Sequence, residues 1–85
     1  MNLLKQYINK ITINNINDFA TKNNIILNEK ELKFIFDLVK NNYEKIINDL
    51  EPFKDKLKQN LTDENYHKII NLYNTYKEKY QNYLI

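Results

Sequence analysis

Any chemistry in this chain has to start from His67, the one histidine and the one side chain whose ordinary titration falls near neutrality. Asp63 at i−4 and Glu64 at i−3 share its helical face and would orient the ring or complete a metal site. On a helical wheel, however, His67 falls among Asn71, Asn74 and Glu78, so it reads as a solvated histidine near a helix start. The carboxylates Glu29, Glu31, Asp37 and Glu44 share a second helix with Lys33 and Lys40. Glu29 to Lys33 and Glu64 to Lys68 stand in the favourable i, i+4 order. General acid–base work needs two carboxyl groups converging in a cleft with contrasting environments. This spacing forces no such convergence, and a solvated helix face is expected.

Absences narrow the chemistry further. The chain has no Cys, which removes disulfides, thiolate metal sites and a cysteine nucleophile. It has no Gly, which removes phosphate-cradling loops, the dinucleotide fingerprint and the nucleophile elbow, each built on backbone that glycine tolerates best. The expectation is a protein that is not an enzyme, with no catalytic residues, no cofactor, no metal and no small-molecule substrate.

All 13 basic residues are Lys, set against 11 acids for a net charge of +2. Six Lys and four acids precede Asn42 and seven of each follow it, so neither half is a charged tail. Bidentate reading of bases and phosphates is arginine work, which argues against a dedicated nucleic-acid reader. That argument is softened by composition: Phe, Tyr, Met, Ile, Asn and Lys make up 53 of the 85 residues, the signature of an AT-rich genome, where Lys replaces Arg by mutational bias. Lys54, Lys56 and Lys58 near Phe53, and Lys77 and Lys79 beside Tyr76 and Tyr80, are the basic and aromatic interleavings suited to a phosphate backbone. A spacing of two sends helical neighbours about 200° apart, so neither set makes one patch by itself.

The feature that stands out is a tyrosine ridge. Tyr66, Ile69, Tyr73, Tyr76, Tyr80 and Tyr83 step by three and four. With Leu72 and Ile70 they span about 160° of the wheel, whereas a stripe of about 100° suffices to face a core. Tyr73 and Tyr80 fall near the middle and read as core. Leu72, Tyr76 and Tyr83, on the outer edge, are the candidate partner-binding residues, because tyrosine offers large amphipathic area at low entropy cost.

These residues must be positioned by helices. Leu4, Tyr7, Ile8 and Ile11 fit a short helix over 2–10. Thr12 or Asn14 caps a second, 14–23, that carries Ile16, Phe19 and Ala20 inward and stops at Asn23-Asn24. Ile25 to Leu27 is an apolar connector that plugs the core. Asn28 with Glu31 makes a capping-box start for 29–49, whose seam Leu32, Phe36, Val39, Tyr43, Ile46, Leu50, Phe53, Leu57 steps by four and three, widened by Ile35 and Ile47. Pro52 interrupts the seam, and a restart over 52–60 with Asp49 as cap is expected rather than a kink. Thr62 caps the last helix, 63–84.

The segment from Asn9 to Ile35 resembles the opening of the YqfT-like family of short proteins from AT-rich Gram-positive bacteria, through Ile11-Thr12, Phe19-Ala20, Ile26-Leu27-Asn28 and the helix start Glu31-Leu32. The resemblance covers about a third of the chain. It departs from the family in having no glycine after the central helix and in its tyrosine-rich end. It implies a similar length and an all-helical fold, and it carries no established activity and no site residue.

The expected fold is one all-α domain over 1–85, a small helical bundle in which two short N-terminal helices pack on an antiparallel pair of longer ones. No apolar run exceeds three residues, so no membrane span and no signal segment are expected, and the default address is cytoplasmic. The sequon Asn60-Leu61-Thr62 is then idle. The expected function is a non-enzymatic helical protein–protein interaction module or small regulator, acting on a protein partner or by self-association. The alternative is a weak, sequence-indifferent nucleic-acid binder using Lys and Tyr.

Overall fold

A computed structural model describes the backbone over residues 3–81 and the side chains over residues 6–79. Among the described residues there are five α-helices and no strand: α1 Leu3–Lys10, α2 Ile13–Lys22, α3 Glu29–Asn48, α4 Lys54–Asn60 and α5 Asp63–Gln81. A single 3-10 turn, Glu51–Phe53, precedes α4. The all-α expectation holds, and the helix limits follow from the chemistry of the caps.

Thr12 opens α2 with a closed capping box: its hydroxyl accepts from Asn15 N (3.2 Å) and Asn15 Oδ1 accepts from Thr12 N (2.9 Å). At the other end Asn24 takes a left-handed backbone (φ 63°), a conformation asparagine tolerates better than most non-glycine residues. Asn24 N then bonds Thr21 O and Ile25 N bonds Ala20 O, the paired bonds of a Schellman stop. This stop turns Ile25 into the core at 2% exposure. The connector plugs the core through Ile25 and the half-buried Leu27, whereas Ile26 is 72% exposed. An extended backbone sends successive side chains to opposite sides, so Ile26 cannot face inward with its two neighbours.

Asn28 and Glu31 form the expected box at the start of α3. At its end the chain stops at Asn48, and Asp49 Oδ1 accepts from Glu51 N (3.1 Å), with Pro52 in the turn that follows. The restart expected at proline is therefore what forms. Asn42 adds a bend the pattern does not announce (φ −136°, ψ 17°). Its side-chain amide reaches Leu38 O at 3.3 Å, the carbonyl a regular helix would offer to the Asn42 main-chain N–H.

Two packing expectations need correction. The buried line of α3 runs through Glu31 and Leu38, flanked by Phe34 and Ile35, while Leu32, Phe36, Val39, Tyr43 and Ile46 are half-buried and Ile47 is exposed. The reason is that α3 is central: α1, α2 and α4 all pack on it, so its apolar residues serve several neighbours rather than one seam. The second correction concerns direction. Glu31 near the start of α3 bonds Thr62 and Asn65 at the start of α5, and Tyr73 farther along α5 bonds Ile46 near the end of α3. The two long helices thus run in the same sense, not antiparallel, because α4 lies between them and each tight connection reverses the chain once. Leu38, Leu50, Phe53, Leu57, Leu61 and Tyr66 form the core cluster that these turns enclose.

Candidate functional site

Two regions between α3 and α5 bring together residues that could act on something else, and their chemistry is opposite. The first is polar. Glu31 is 3% exposed, although the sequence pattern placed it on a solvated face with Glu29, Asp37 and Glu44, which are exposed as expected. Its Oε1 accepts from Asn28 N (3.0 Å) and from Asn65 Nδ2 (2.9 Å), and its Oε2 accepts from Thr62 N (2.8 Å). One carboxylate therefore caps two helices, accepting a backbone N–H at the start of each. Asn65 Nδ2 also donates to Ile26 O (3.0 Å), and Lys68 Nζ donates to Asn24 O (3.0 Å), so the start of α5 holds the connector between α2 and α3. Among the described residues no buried side-chain nitrogen or oxygen lacks a hydrogen-bond partner. The buried groups of this junction are already engaged in holding the two helices together.

The second region is a cleft of about 410 Å³ framed by α1, α2, α3 and α5. Tyr7 and Phe19 stand at its mouth, 59% and 47% exposed, and Ile25, Leu38 and Leu57 lie deeper. Phe19 corrects the sequence expectation that it packs inward: it is 47% exposed, and its ring meets the Tyr76 ring, tilted at 48° with centroids 5.7 Å apart. Asn15 is the one polar side chain besides tyrosines among the described lining residues, and none of them is charged.

The ridge on α5 divides as follows. Tyr66 is buried in the core cluster, with Lys58 Nζ 5.5 Å from its ring centroid. Tyr73 is half-buried, and its hydroxyl donates to Ile46 O at 2.7 Å. Burial, reinforced by the negative charge of Asp49, raises the Tyr73 phenol above its ordinary titration. Leu72 and Tyr76, the outer-edge candidates, line the cleft. The extra width of the stripe therefore faces α2 within the same chain. Tyr83 lies outside the described residues, as do the side chains of Tyr80 and Leu4.

His67 is exposed and sits edge-on to Tyr66, centroids 5.4 Å apart. Glu64 turns instead to Lys68 at 3.8 Å, and no group of three potential metal ligands forms among the described residues. Of the lysines near Phe53, Lys54 is tied to Glu51 at 2.6 Å, a bond that raises its ammonium above the usual range. No helix among the described residues is long and apolar enough to cross a membrane. Comparison with protein-family models, curated proteins and solved structures finds no match to this chain.

Sequence reasoning missed the junction and the cleft for different reasons. Glu31 carries a local signal, the capping box, that fully explains it without a second helix. The cleft arises from residues of all five helices at once, and its one sequence trace is the surplus width of the ridge.

Proposed function

We propose that this chain is a non-enzymatic helical interaction module that takes apolar side chains of a protein partner into the cleft between α2 and α5. The observation that carries this reading is the combination of volume and lining: about 410 Å³ of apolar cleft with two large aromatics exposed at its mouth. Surface apolar patches of this kind cost solubility and mark interaction sites. Leu72 and Tyr76 form the α5 wall of the site, and Phe19 and Tyr7 form its lips. The polar junction supports the reading by contrast, since its groups are consumed in holding α5 onto α3.

A pull-down with the tagged full chain, washed at low and at high salt, tests the proposal. An apolar contact holds a protein partner with little change between the two washes. Retention of nucleic acid that vanishes at high salt would contradict it and favour the lysine-and-tyrosine alternative.

A further inference from the structure

We propose that the end of α3, residues 43–48, is a hinged flap on one wall of the cleft, with Asn42 as its hinge and the Tyr73 hydroxyl as its latch. The device governs access to the cleft and stands apart from what the cleft takes up. The first argument is the backbone. Residues 43–48 lie between two departures from helical geometry, Asn42 (φ −136°, ψ 17°) and Asp49 (φ −163°, ψ 117°). So short a piece cannot hold a helix by itself, because nucleation costs more than a turn or two of bonds returns. Its shape depends on what it touches.

The second argument is burial. Leu38 before the hinge and Leu50 after Asp49 are both buried in the core cluster. No residue from 43 to 48 is buried: Tyr43 and Ile46 are half-buried, and Glu44, Lys45, Ile47 and Asn48 are exposed. A piece with few buried apolar contacts, set between two anchored ones, is where a native chain opens locally without unfolding.

The third argument is the tie. The last carbonyls of a helix find no donor within it. Ile46 O accepts from the Tyr73 hydroxyl of α5 at 2.7 Å, and Ile47 O lies 3.4 Å from the same hydroxyl. The Tyr43 hydroxyl is spent inside the segment, on Glu44. Ile46 and Tyr73 both line the cleft, beside Leu38, Val39 and Leu50 outside the flap. Release of Ile46 by Tyr73 therefore lets the flap swing away from α5 and widens the cleft at the end of α3.

Hydrogen exchange of the full chain, read amide by amide through low urea concentrations, tests the device beside Tyr73→Phe and Asn42→Ala. The amides of Ile46 to Asp49 should be protected at least tenfold less than those of Ile35 to Leu38, with little dependence on urea, because a local opening exposes little surface. Tyr73→Phe should speed Ile46 to Asp49 about fivefold, the worth of one hydrogen bond. Asn42→Ala removes the side-chain amide from Leu38 O and restores a strong helix former, and should slow them about threefold. Equal protection and equal urea dependence in both parts of α3 would overturn the flap. Unchanged exchange at Ile46 to Asp49 would overturn the latch in Tyr73→Phe and the hinge in Asn42→Ala. Methyl relaxation dispersion should give Ile46 and Leu72, across the cleft, one common exchange rate. Motion at Ile46 that Leu72 does not sense would overturn the link to the cleft.

Discussion

At the N-terminal ends of α3 and α5 the buried polar side chains are all bonded, whereas farther along the same two helices an apolar cleft stays open toward α1 and α2. Hydrogen bonds are directional, so the Glu31 junction fixes the order, direction and register of three chain segments. Apolar contact is non-directional, so nothing in the cleft requires its walls to close. The difference teaches that stability and recognition are divided in this small domain. Changes at the junction should be felt in folding, and changes at the mouth of the cleft should be felt in binding.

The largest expected effect is at the junction. Glu31→Ala leaves Asn28 N, Thr62 N and the Asn65 amide without their acceptor, and urea unfolding should show a loss of about 4 kcal/mol. A loss under 1 kcal/mol would mean that water replaces the carboxylate and that the junction does not organise the fold.

Tyr73 joins the two regions, with its ring on the cleft and its hydroxyl on α3. Tyr73→Ala should cost about 3 kcal/mol by removing a large packed ring. Tyr73→Phe should cost about 1 kcal/mol by removing one hydrogen bond. Because the folded phenol titrates above its ordinary value, its contribution is fully present below the unfolded phenol's pKa, about 10, and is lost as pH rises through the folded one. Denaturant midpoints measured through alkaline pH should fall less steeply for Tyr73→Phe than for the parent.

The comparison sharpens further at two identical patterns. Thr12-Ile13-Asn14-Asn15 and Thr62-Asp63-Glu64-Asn65 both place threonine at the cap and asparagine three residues on, and both hydroxyls accept from that asparagine's N–H at 3.2 Å. Asn15 answers Thr12 directly, in the open. Asn65 turns away to Ile26 and Glu31, and Glu31 of another helix answers Thr62. Asn65→Ala should cost about 2 kcal/mol and Asn15→Ala about 0.5 kcal/mol, since a buried bonded group is worth several times an exposed one. Equal losses by thermal melts would show that the junction adds nothing to a local cap.

The same pair of patterns marks how far the sequence could be read. Helix starts were legible because capping is local: Thr12, Asn28 and Thr62 each act within three residues of themselves, whereas Asp49, expected to cap the restart, ends α3 and bonds Glu51 N, and α4 begins at Lys54 without a side-chain cap. The second partner of Glu31 was not, because a carboxylate that already completes a box gives no sign of a further donor 31 residues away. The shift of α3's buried line to Leu38 and the exposure of Phe19 were hidden for a related reason. A wheel assumes one neighbour per helix, and α3 has α1, α2 and α4 packed on it. The bend at Asn42 has no pattern signal at all, asparagine being common throughout the chain. Of the candidate site, Leu72 and Tyr76 came from the surplus arc on α5, while the α1 and α2 side of the cleft required the fold.

The division between folding and recognition is tested most directly by one substitution with two readouts. Phe19→Ser removes a half-exposed ring that, among the described residues, meets the Tyr76 ring. The urea midpoint of the purified variant and its retention of the protein partner in the salt-washed pull-down are measured beside those of the parent chain. The account predicts a stability change within about 1 kcal/mol and a loss of partner by at least tenfold, the size of a binding hot spot of about 1.4 kcal/mol or more. Unchanged retention, or a loss of stability as large as that of Glu31→Ala, would contradict it.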